Sequence, residues 1–203
     1  MDLVLAQSSY VEFKRALAAS DCRRCALSQS RTHLVVDRGS PNARVLVIGE
    51  APGKNEDLQQ RAFVGMAGKS FDRMNAEIGI DTEKDFLICN TVKCRPPENR
   101  RPKPQETAAC RAYLLRQVEL VAPRLIVLMG ATALQSLDPA RAKFSMQAEA
   151  GKFFKLSFGA TYDALTLYHP AALIYNRSLN ETMRAHLLLL KQFMQREQLF
   201  NKI

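Results

Sequence analysis

Four short apolar runs stand out along the chain: Val45–Ile48, Phe86–Cys89, Leu125–Met129 and Leu165–Tyr168. Each has the length of a buried strand and is rich in Val, Ile, Leu or aromatic residues. Between them the apolar positions fall into helical spacing. Phe71, Met74 and Ile78 follow i, i+3, i+7. Leu114, Leu115, Val118 and Val121 make one face of a helix that Pro104 opens at its first turn. Ser178 and Glu181 read as a capping box ahead of a long amphipathic helix reaching about Leu199. Strands alternating with helices predict an α/β fold: a single-domain three-layer α/β/α arrangement over residues 1–203, with a central four-stranded, mostly parallel sheet covered on both faces. No internal repeat, low-complexity segment or linker interrupts the pattern.

In such a fold the ligand crevice lies at the carboxyl ends of the strands. The first run leads into Gly49-Glu50-Ala51-Pro52-Gly53, the second ends at Asn90, the third meets Gly130-Ala131-Thr132 and the fourth ends at His169-Pro170. A carboxylate, an amide and an imidazole are therefore expected to converge on one crevice.

Composition narrows the class. With 47% hydrophobic and 24% charged residues among 203, the chain has enough apolar content for a packed core. The 29 Lys and Arg against 20 Asp and Glu give a formal charge of +9 and point to a polyanionic partner, nucleic acid first. The start lacks a basic secretory region, and no window reaches the length of a spanning segment. A soluble, cytoplasmic and nucleoid-associated protein with no membrane partner is expected.

Five cysteines exclude a fully paired disulfide framework and favour a reduced setting. Cys22 and Cys25 have C-x2-C spacing, and Cys94 and Cys110 have C-x15-C spacing. Two such pairs can close around one metal centre, and both zinc and an iron–sulfur cluster accept four thiolates. Cys89 lies within a predicted strand and reads as a small buried hydrophobe. Beside Cys94, the segment from Lys93 to Pro104 (KCRPPENRRPKP) holds five basic residues, one acid and four prolines. A proline-stiffened basic loop suits phosphate contact at low ordering cost.

Two phosphate-loop look-alikes fail. Gly68-Lys69-Ser70 requires a glycine five residues before Gly68, where Phe63 stands. Gly49 and Gly53 ahead of Lys54 are too close together, and Asn55 follows. His33 and His186 are isolated, and His186 reads as a packing or surface histidine.

Taken together, GEAPGKNED at 49–57, AFVGMAG at 62–68, NTVKCRPPENR at 90–100, HPAAL at 169–173 and the two cysteine pairs resemble family 4 uracil-DNA glycosylases, the iron–sulfur type of that superfamily. The resemblance runs from about Cys22 to the last helix. It implies a DNA glycosylase that flips uracil out of DNA and hydrolyses its N-glycosidic bond, with a [4Fe–4S] cluster on Cys22, Cys25, Cys94 and Cys110. It implies that Phe63 stacks on the base and Asn90 reads its Watson–Crick edge. Glu56 would exclude thymine, with Gly53 leaving room beside it, and backbone N–H groups of Ala51 and Gly53 would touch the base. Glu50 would stabilise positive charge on the sugar and orient water, while a neutral His169 donates to uracil O2. Lys93, Arg95, Arg100 and Arg101 would meet DNA phosphates, and Leu173 would wedge into the vacated stack.

Two positions depart from the family pattern: Gln60 stands where glycine is usual and Ala62 where proline is usual. The insertion carrying a covalently reactive histidine in a related branch is absent after Cys94, so turnover is expected. A monomer acting on uracil-containing DNA is the default. Alternatives are a same-fold glycosylase with relaxed base choice (hypoxanthine, xanthine or mispaired thymine), a non-catalytic iron–sulfur DNA-binding protein or partner module for replication or repair proteins, and a zinc-bound structural protein.

Overall fold

The computed structural model describes residues 2–141 and 143–201. Its elements run α1 (Tyr10–Ala19), β1 (Arg38–Gly39), β2 (Val45–Gly49), α2 (Lys54–Gln59), α3 (Met66–Glu77), β3 (Phe86–Asn90), α4 (Pro104–Val121), β4 (Leu125–Met129), α5 (Ala131–Leu137), α6 (Met146–Glu149), β5 (Phe153–Phe158), β6 (Ala160–Leu167), α7 (Pro170–Tyr175) and α8 (Leu179–Arg196). The strands form one sheet in the order β1-β3-β2-β4-β6-β5. β3, β2, β4 and β6 are parallel, and β1 and β5 add antiparallel edges.

The α/β class and parallel centre agree with the sequence pattern, but the sheet has six strands rather than four. The reason is solvent exposure at the edge. β5 alternates exposed and covered positions, with Lys155 and Ser157 among its exposed ones, so it carries no continuous apolar run. β6 starts at Ala160, ahead of the expected Leu165, because its first half shares that wet edge.

Period-two alternation sorts the parallel strands between two cores. Val45, Val47, Ile88, Val127 and Leu165 face α3 and α8, where Phe71, Met74, Met183, Leu187 and Leu190 meet them. Leu46, Ile48, Leu87, Leu128 and Ala164 face α1, α4 and α5, against Phe13, Leu17, Leu114 and Leu134. Cys89 is fully buried on this second face. Pro104 opens α4 as expected, and the Glu106 carboxylate accepts the Lys103 N–H at 2.7 Å. The capping box expected at α8 does not form. Ser178 has helical backbone angles, and its hydroxyl donates to Asn176 Oδ1 at 2.6 Å. Glu181 pairs with Arg184 at 3.1 Å instead.

The register brings the carboxyl ends of the parallel strands to one edge: Gly49 lies beside Asn90, and Met129 beside Leu167. No described helix is long and apolar enough to cross a membrane.

The four consecutive leucines of α8 separate the two sides of this packing. Leu187 and Leu190 are fully buried, while Leu188 and Leu189 are exposed. Leu187→Ala is expected to lower unfolding stability by about 2–5 kcal/mol, and Leu188→Ala by about 0.5 kcal/mol or less. Urea denaturation of both variants checks this, and equal losses would contradict the assigned helix face.

Candidate active site

A pocket of about 430 Å³ opens at the carboxyl edge of the sheet. Glu50, Ala51, Gly53 and Glu56 line one side, and Phe63, Asn90 and His169 complete its interior. The convergence read from the strand ends is thus present, joined by the loop that carries Phe63.

Asn90 is the last residue of β3 and only 1% exposed. Neither its Oδ1 nor its Nδ2 has a hydrogen-bond partner among the described residues. Its backbone carbonyl, by contrast, accepts from Lys93 Nζ at 2.7 Å. Leaving a buried polar group unsatisfied costs about 1–3 kcal/mol, and native proteins rarely tolerate it without a functional reason. Gly49 makes the space: a Cβ there would lie 2.6 Å from both Asn90 Oδ1 and the Phe63 ring.

Phe63 is buried, with its ring centroid 5.8 Å from that of His169. Its φ of 53° is left-handed, as is that of Gln60 at the end of α2. Each costs an L-residue of order 1–3 kcal/mol, so the loop must be held by its surroundings. Gly68 permits the close turn, since a Cβ there would overlap the Phe63 carbonyl. Glu56 supplies a clamp: one carboxylate oxygen accepts the Gly65 N–H at 2.6 Å and the other the Gly53 N–H at 3.1 Å. Next to it, Asp57 accepts the Thr32 and His33 N–H groups at 2.9 to 3.1 Å. The glycine and proline departures fall in this loop: Gln60 adopts the left-handed turn, and Ala62 is buried.

His169 caps α7. Its Nδ1 accepts the Ala171 N–H at 3.2 Å, which leaves the proton of a neutral ring on Nε2. Burial lowers its pKa below the ordinary histidine value, against the opposing pull of the Glu50 and Glu56 carboxylates. A neutral imidazole that donates from Nε2 follows. Glu50 accepts from the Thr132 hydroxyl, and Arg101 Nε lies 3.5 Å from the same oxygen. Thr132 escaped the sequence reading as a functional residue. Its signal was its place in the first turn beyond β4, at the carboxyl edge of the sheet.

Cys22, Cys25, Cys94 and Cys110 all line a second, small cavity. Burial pushes the Cys94 thiol up to about 12 and Cys110 to about 11. Arg31 donates to the Cys22 carbonyl at 2.8 Å and lies 3.7 Å from the Cys94 sulfur. Among the described residues, no group of three or more ligating side chains closes on a single-ion site.

Two expected DNA contacts are corrected. Lys93 is 1% exposed, and its ammonium is turned inward to the Asn90 carbonyl, so it does not face a phosphate. Leu173 is 4% exposed and belongs to the core beneath α7, so it does not protrude as a wedge. The remaining basic residues stay at the surface. Arg101 is largely exposed, and Arg95 donates to Asn99 at 2.7 Å. Arg100 borders the pocket, with its guanidinium clasped by Glu106 at 2.7 and 2.8 Å.

The model of the Uracil DNA glycosylase superfamily matches residues 36–191. The type-4 uracil-DNA glycosylase of Thermotoga maritima is 41% identical over 163 residues, covering 80% of this chain and 82% of that protein. That of Archaeoglobus fulgidus is 39% identical over 163 residues, covering 79% and 81%. A type-5 uracil-DNA glycosylase of Pyrobaculum aerophilum is more distant, at 26% identity over 154 residues. With the family model spanning the whole sheet and the type-4 relatives 39% and 41% identical, the chain belongs to the type-4 branch of the uracil DNA glycosylase superfamily.

Proposed function

We propose that this protein is a uracil-DNA glycosylase that takes uracil out of the DNA stack, hydrolyses its N-glycosidic bond and leaves an abasic site for base excision repair. The observation that carries the reading is the Asn90 amide, buried in the pocket with donor and acceptor both unpaired. Uracil presents the complementary pair, with O4 accepting from Nδ2 and N3–H donating to Oδ1. Phe63 stacks on the base, an interaction worth about 1–3 kcal/mol. On this reading Glu56 excludes a thymine methyl with Gly53 leaving room beside it, and both line the pocket together with Ala51.

In the reaction the C1′–N1 bond breaks, water oxygen bonds to C1′, and the water proton ends on uracil. Positive charge develops on the sugar and negative charge on the departing base. Glu50, held by Thr132, favours the first and orients the water. His169 Nε2–H donates to O2 and favours the second, and it needs no ionisation to do so. Arg100 lines the pocket and Arg101 reaches Glu50 at 3.5 Å, and together with Arg95 they suit the phosphates beside the flipped nucleotide.

The donor chemistry and the shared cavity of Cys22, Cys25, Cys94 and Cys110 fit a [4Fe–4S] cluster. When bound, that cluster supplies a crosslink, since hydrolysis transfers no electron. These cysteines come from the segment after α1, the loop after β3 and α4 itself. Holding them together orders the loop from Lys93 to Pro104 at the pocket entrance. The protein works as one domain over residues 1–203 and as a monomer on uracil-containing DNA in the cytoplasm.

Glu50→Gln keeps the shape and removes the charge. It is expected to slow uracil release by about 10²–10³-fold, the usual effect of removing one preorganised electrostatic group. Alkali cleavage of a uracil-containing oligonucleotide reads this directly, and an unchanged rate would overturn the assignment. Anaerobically purified protein is expected to absorb at about 400 nm and to lose that band in Cys94→Ala. A colourless protein holding one zinc per chain would contradict the cluster.

A further inference from the structure

With Leu173 buried in the core, that side chain does not fill the vacated base position, yet other apolar side chains border the pocket mouth. Met66, Ile174 and Tyr175 are all exposed, and all three border the pocket that holds Asn90 and His169. Tyr175 is the extreme case, at 89% exposed. Its ring and hydroxyl have no partner among the described residues. A phosphate backbone gives no return for an aromatic ring held in water, whereas an unstacked base does.

The helix that holds Tyr175 is anchored by packing and capping contacts. Tyr175 ends α7, which His169 caps at its start. Leu173 pins the helix into the core, and the Asn176 N–H closes it on the Ala172 carbonyl at 2.9 Å. The same six-residue helix therefore carries the imidazole that faces uracil O2 at one end and an exposed aromatic ring at the other. Burial of Leu173 is what turns Tyr175 outward, because residues two apart on a helix lie on different faces.

We propose that Tyr175 is the DNA-stacking residue of this enzyme: its ring packs against the bases flanking the position that the flipped uracil has left. This rests on the glycosylase reading above and assigns the duplex-opening role to Tyr175 rather than to Leu173. A base already free of a partner needs little such help. A uracil paired with adenine needs most, and a mismatched uracil opposite guanine less.

The test compares wild type, Tyr175→Ala and Tyr175→Phe on one oligonucleotide as a single strand, as a U:A duplex and as a U:G duplex. For Tyr175→Ala, the kcat/KM ratio of U:A duplex to single strand is expected to fall about tenfold. That is roughly 1.4 kcal/mol, within the range of one aromatic–base stack. The U:G duplex should fall less, and Tyr175→Phe should restore the ratio because it keeps the ring. An unchanged ratio in Tyr175→Ala, or a phenylalanine variant as poor as the alanine one, overturns the proposal. Wild type that releases no uracil from any of the three substrates would instead sink the glycosylase reading itself.

Discussion

The pocket depends on an amide that the fold leaves unpaired. Asn90 ends a fully buried strand, and its side chain has no protein partner among the described residues. The surroundings keep it that way. Gly49 sets no side chain against the Asn90 oxygen, Phe63 packs beside it, and Lys93 takes the backbone carbonyl so that the side chain alone is left for the pocket. Each of these arrangements has a cost. The loop carrying Phe63 has two non-glycine residues in the left-handed region, and Lys93 is a cation withdrawn from water. Together they make sense around a ligand whose edge satisfies the amide.

Support for that arrangement comes from two carboxylates on one short helix. Glu56 joins the Gly53 and Gly65 backbones across the pocket, and Asp57 fixes the helix to the Thr32–His33 backbone. The latter segment leads back to Cys25 and Cys22, whose cavity includes Lys93 itself. One continuous set of contacts therefore runs from the cysteine cavity through Lys93 to Asn90. This gives the four cysteines a physical bearing on base recognition without any electron transfer. It also explains why a basic residue within the proline-rich segment serves the interior rather than DNA.

Much of the site was legible in the sequence because parallel strands put their carboxyl ends on one edge. Glu50, Asn90 and His169 follow from that geometry alone, as does the pairing of buried faces along each strand. Phe63 did not, because its left-handed backbone belongs to no period. It entered through the resemblance. β5 was missed because an edge strand with one wet face shows no apolar run. Lys93 was misread because a lysine among arginines and prolines looks like a phosphate contact, and its inward turn depends on packing around Asn90 and Cys110. Leu173 was misread because the rotation of a six-residue helix is set by tertiary packing, not by local pattern.

Asn90 is held without a protein partner for the sake of its ligand. Replacing it with leucine, which has a similar shape and no polar atoms, separates that claim from an ordinary structural role. Urea unfolding of Asn90→Leu should show stability equal to wild type or about 1 kcal/mol greater, in a protein that no longer releases uracil. A variant that is destabilised by more than about 1 kcal/mol, or that still releases uracil at the wild-type rate, would contradict the account.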